Sequence, residues 1–538
     1  MRKLIWILCL AAAFSGAMIA DEDHHHEELT QQQLGTVHFP VSCTPDAQKT
    51  FEKGIALLHS FWYEESEKTF LDVEKQDPKC AMAYWGEAMS LWHQLWNHPD
   101  SATIQRASAE LKKADKANAK TGRERDYIQA LKAFYSNDKK ADHEARARTY
   151  SAAMEKVYQK YPDDHEAAAF YALSLLASEP DNDTTFANRK QAGAILEKLF
   201  DVEPNHPGIA HYLIHAYDKP QLAQLGLPAA RRYAQIAPAA PHALHMPSHI
   251  FARLGLWQDD INSNLASIAA TRKATEMHMG GEGHQFHAMD YLVYAYLQSG
   301  REDDALKVIE EVKAMPPMKD MYGMGYDPRI YALVAFPARY ALELHHWAEA
   351  ASLTPVPNAD AGDSSTTYWA RAIGAARSGN IAQARADIEH IDAIHKTLLD
   401  QKKKSSAEAV DQDRKEAAAW LDHAEGRNDD AIAALRTIAE KQEASGDESN
   451  GETPAREMLA DMLLEMKRPE QSLAEYKTSL KFFPNRFNTL YGAAQAAELA
   501  GQASQATEYY AVLVKTCEGS SSVRPELAKA KQAVVARK

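Results

Sequence analysis

Histidine is the residue type whose spacing in this chain suits chemistry. His-x-x-x-His occurs as His211 and His215 in HYLIHAYD, and as His245 and His249 in HALHMPSHIF. Residues four apart share a helix face, and neutral imidazole is the commonest metal ligand, so each pair can chelate one ion from one helix. His242 falls on the stripe of His245 and His249, and His284 and His287 form a further pair three residues apart. Glu282 and Asp290 flank that pair as candidate carboxylate partners. Three histidines with an open fourth position suit catalytic zinc, and two with a carboxylate suit ferrous iron. Imidazole-rich sets also take copper or nickel. His211, His215, His242, His245, His249, His284 and His287 are therefore candidate ligands for zinc, copper or iron. Two other readings stay open: imidazoles hydrogen-bonded inside hairpin cores, and a polar lining for a ligand or peptide groove. A metal site would show carboxylates behind the outer ring nitrogens.

The distance between the pairs indicates what positions them. From 211 to 245 is 34 residues, and from 215 to 249 is 34 again. Elsewhere Gly54, Ser66, Phe70 and Pro78 are offset by 0, 12, 16 and 24, as are Val293, Ala305, Ile309 and Pro317, and Ala460, Ser472, Tyr476 and Pro484. The small residues let two helices approach, and the proline stops the second helix. CAMAYWGEAMSLW, DYLVYAYLQSGREDDALKVIEEV and YGAAQAAELAGQASQATEYYAVL resemble tetratricopeptide repeats, helix-turn-helix units that stack into a solenoid. The resemblance covers most of residues 43–517, and the whole chain is similar to exported bacterial repeat proteins. It implies an all-α, right-handed solenoid of roughly eleven hairpins in two arcs. It also implies a concave face that holds a peptide or protein partner, with scaffolding more usual than catalysis. First helices line the inner wall of such a solenoid, so three successive ones would present two, three and two imidazoles. In the phase of the small-residue pattern, His249 would take the place of Gly54 and Ala88 and face its own hairpin partner.

Composition sets the outer bounds. The 538 residues exceed one ordinary core, and the formal net charge of −15 argues against nucleic acid as a partner. Arg2 and Lys3 precede an apolar run from Leu4 to Ala20, which reads as an export signal over 1–20 cleaved before Asp21, with an uncleaved anchor as the alternative. Export to the periplasm is the expected location, with no further membrane span. Residues 21–40, carrying DEDHHHEE, read as a disordered acidic tail, with His24, His25 and His26 as a loose metal collector at most. The expected map is a His-rich solenoid over 41–352, a polar linker over 353–366 and a C-terminal solenoid with a capping helix over 367–538. Cys43 and Cys80 open equivalent helices of adjacent repeats, so a disulfide between them is an expectation, with two buried thiols as the alternative.

Weaker candidates read as structure. His59, Trp62, Trp85, Trp92, His93 and Trp96 suit the core of the first two repeats, and Met315, Met318, Met321 and Met324 suit loop packing. Asp259-Asp260 and Asp303-Asp304 start second helices, where acids favour the dipole.

Overall fold

The computed structural model describes residues 29–536 except 96–97, 137–141, 182, 319–326 and 447–452. The export signal, the His24–His26 run, Trp96, Met321 and Met324 lie outside the described residues. Within them the chain is all-α, an array of antiparallel hairpins such as Pro45–His59 with Tyr63–Gln76, and Ala455–Glu465 with Pro469–Phe482. No helix among the described residues is long and apolar enough to cross a membrane.

The repeat expected from the offsets is present at the atomic level. Ser66 Oγ donates to the Gly54 carbonyl at 3.0 Å, and the equivalent Ser472 Oγ donates to the Ala460 carbonyl at 2.8 Å. A Cβ on Gly54 would lie 2.8 Å from the Phe70 ring, so the small residue is what admits the aromatic. The turn residue seven places after the small position has a left-handed backbone: Gly300, Lys467 and Gly501, with φ of +69°, +59° and +73°. In the first hairpin that slot holds Phe61 (φ +52°), a bulky side chain where the conformation disfavours one.

Two expected boundaries move. Residues 29–40 are ordered and form a strap, not a tail. Leu34, Val37 and Phe39 are buried, and the Phe39 ring lies 5.3 Å from Phe51 and 5.9 Å from Trp85. The strap crosses to distant repeats, with Thr36 N–H donating to the Asn205 carbonyl and Ala239 N–H to that of Gln33. The 353–366 segment is non-helical only as far as Asp360, whose carboxylate caps the Ala361–Arg377 helix. Trp369 and Ile373 of that helix share a core with Ala338 and Leu342. Cys43 and Cys80 are joined by a disulfide, with Cα atoms 4.9 Å apart, and Cys517 is buried.

The array curls back on itself. Pro45–His59 packs on Pro207–Tyr217, and His284–Gln298 packs on Phe487–Leu499. Arg486, wholly buried, donates to Glu457 (2.9 Å), Glu343 (2.5 Å) and Tyr294 (2.9 Å), tying three separate hairpins. Trp85 and Trp92 lie in the core that holds Phe39 and Phe51, as their types require, and Met315 and Met318 pack against the core around Phe286 and Ile309.

Candidate metal centre

The Pro207–Tyr217 helix starts at His206, whose Nδ1 accepts from the Ile209 N–H, with proline in the first turn. Its Gly208 is needed where it stands, because a Cβ there would lie 2.5 Å from Nδ1 of His59. His59 therefore packs against the helix and presents its own carbonyl to His211. The next first helix is split by Pro247 into Pro241–His245 and Pro247–Arg253, but Met246 keeps helical angles (φ −52°, ψ −34°), so the His245/His249 face survives. The left-handed turn residue here is Gly255, which makes Ser248 (0% exposed), not His249, the counterpart of Gly54. His249 is one residue further on, about 100° round the helix. It consequently faces neighbouring first helices, and the expectation that it faces its own hairpin partner is corrected.

Two triads result. In the first, Nε2 of His211 lies 3.0 Å from Nε2 of His215 and 3.1 Å from Nε2 of His242. In the second, Nε2 of His245 lies 3.0 Å from Nε2 of His249, and His287 closes the set at ring distances of 4.5 and 5.5 Å. Within each triad one nitrogen per residue lies within 4.8 Å of the others. The triads adjoin, with His242 and His245 rings 6.1 Å apart and His215 and His249 rings 6.3 Å apart. The expected single stripe of His242, His245 and His249 is thus divided between two sites.

Three of the six outer nitrogens are fixed. Nδ1 of His211 donates to the His59 carbonyl at 2.6 Å. Nδ1 of His245 donates to Asn264 Oδ1 at 2.7 Å, and the Asn264 amide nitrogen is committed to Asp260, which settles its orientation. Nδ1 of His249 donates to Asp218 at 2.8 Å, and Asp218 is held at 2.9 Å by Arg253. Burial opposes ionisation of Asp218, but Arg253 and His249 outweigh it and keep the carboxyl well below its usual range. With the proton on Nδ1, each of these imidazoles has a bare Nε2 lone pair turned inward. Burial pushes His211 down to about 3 and His215, His242 and His245 well below the ordinary imidazole value. The 3.0 Å contact between His245 and His249 therefore needs a proton or a metal cation between the two nitrogens.

Phe61 explains its own backbone. Its ring stacks on His215 and His242, each at 5.6 Å, and meets His211 edge-on at 4.4 Å. It walls one side of the first triad. On the other side, His287 is exposed and His215 half-buried.

Three candidate residues fall elsewhere. His284 lies 5.5 Å from the His242 ring but outside both triads. Asp290 pairs with Arg339 at 2.6 Å, and Glu282 lies near Glu64, so neither supports a histidine; the expectation that they do is corrected. Sequence proximity to His284 and His287 is all that suggests either, whereas the actual supports are Asp218, at the C-terminal end of the Pro207–Tyr217 helix, and Asn264 of the Trp257–Glu276 helix. Asp218, three residues after His215, was the one with a sequence signal. His59 and His206 flank Glu166 at 2.8 and 2.9 Å in a separate, fully buried cluster that carries the carbonyl used by His211.

Searches of family models and of curated proteins match nothing. Among solved structures, the chain is similar to a human IFIT1 dimer with PPP-AAAA, at 13% identity and TM-score 0.35, over 81% of this chain and 91% of that one. It is also similar to the P58(IPK) TPR domain, at 11% identity and TM-score 0.19, over 92% and 99%. The Cut9–Hcn1 hetero-tetramer of the APC/C gives 10% identity and TM-score 0.30, over 90% and 96%.

Proposed function

We propose that this chain is a metal-binding helical-repeat protein. His211, His215 and His242 hold one late first-row ion, and His245, His249 and His287 hold a second. The observation that carries this reading is orientation: three outer nitrogens are occupied by a carbonyl, an amide oxygen and a carboxylate, while the inner nitrogens face each other at 3.0 to 3.1 Å. In the second triad His245 and His249 both carry their proton on Nδ1, so no protein donor satisfies the contact between their inner nitrogens. Neutral, all-imidazole donors of borderline softness point to copper, zinc or ferrous iron. The Cys43–Cys80 disulfide supports an oxidising compartment, consistent with the exported location expected from the N-terminal segment. A peptide groove on the same wall is the weaker reading, because Phe61, 1% exposed, and the Pro45–His59 helix already pack against the first triad.

Metal analysis of tag-free protein decides the matter. Wild type should carry stoichiometric metal, and His245→Ala/His249→Ala should lose the share of the second triad. Wild type that holds none, and binds none when offered zinc, copper or iron, overturns the reading.

A further inference from the structure

The reading above assigns an ion to each triad, and the arrangement of the triads carries more. Ring pairs from the two sets approach to 6.1 Å (His242/His245) and 6.3 Å (His215/His249). Three nitrogen donors leave at least one coordination position open on each ion. The solvent side of the pair lies at His287, which is exposed, and His215, which is half-buried.

Charge sharpens the point. All six ligands are neutral imidazoles. Behind them, Asp218 is paired with Arg253, and Glu166 lies between His59 and His206. Two divalent ions would therefore add far more positive charge than the surroundings offset, and uncompensated charge in a partly buried site is costly. An anion from solvent is the missing component. Two ions sharing one anion form a clamp that stabilises charge on it from both sides.

We propose that the two triads act as one dinuclear centre whose substrate or ligand is a small anion, held between the two ions and entering past His287. This rests on the metal reading and adds coupling and ligand class to it. No covalent or redox step is implied.

Cobalt(II) titration of metal-free, full-length, tag-free protein tests it, followed by visible absorption and electron paramagnetic resonance, with azide as the anion probe. The expected result is two equivalents of cobalt per chain. The resonance signal should grow with the first equivalent and fall with the second as the ions couple, and a single azide per pair should then perturb the spectrum. His287→Ala, at an exposed position, should retain one equivalent and lose both the coupling and the single-azide response. His287→Gln gives the same readout if the alanine variant misfolds. Two additive signals with two independent azides, or one equivalent in wild type, overturns the paired centre and leaves metal binding standing. No cobalt bound by wild-type protein with native circular dichroism overturns the metal reading itself.

Discussion

At the scale of single residues, the triads depend as much on what lies behind the histidines as on the histidines. Asp218 receives the His249 ring proton and is itself anchored by Arg253. Such support fixes the tautomer and raises ligand basicity, and its loss typically costs about 10- to 100-fold in metal affinity. Asp218→Asn should therefore weaken metal binding at the second triad by about 10- to 100-fold and leave the first triad unchanged, as read by competition with a chromophoric chelator. Unchanged affinity at the second triad would show that Asp218 serves only Arg253. Both His-x-x-x-His pairs were legible from the residues, because periodicity alone places residues four apart on one face. Asn264 and the His59 carbonyl were not, since they come from elements 19 and 152 residues away.

At the scale of elements, helix phase and the N-terminal strap set the geometry. Pro247 interrupts one first helix without turning it, and Gly255 shifts the repeat phase by one residue, which aims His249 at its neighbours. The sequence of the strap over 29–40 resembles a tail because the acidic, His-rich stretch before it dominates the composition; its apolar signal is confined to Leu34, Val37 and Phe39. Phe39 is wholly buried against Phe51, Trp85 and Tyr127. Phe39→Ala should cost about 3–5 kcal/mol, the range for a truncated core aromatic, measured as a lower urea midpoint. A change below about 1 kcal/mol, within the range of ordinary surface substitutions, would show that the strap adds nothing to the core.

At the scale of the whole molecule, the ends of the array meet its middle. Arg486 joins Glu457 and Glu343 inside the protein, and Tyr294 of the His284–Gln298 helix completes the contact. Removing one partner of a buried ion network leaves charge without compensation, a loss of about 3–5 kcal/mol. Arg486→Met should destabilise by that amount in chemical denaturation and should let a protease release the C-terminal hairpins first. Unchanged stability would mean that apolar contacts alone close the array.

The sequence by itself determined the all-α hairpin repeat, because small residues, prolines and apolar positions at fixed offsets encode local packing. It also marked six of the histidines that form the triads. Only the tertiary structure decided how they are divided. Whether His242 joins His211 or His245 depends on the closeness of adjacent first helices, and the role of Asp290 depends on Arg339, 49 residues later. Ligand sets of this kind come from contacts between repeats, and a one-dimensional period fixes which residues share a face but not what that face meets.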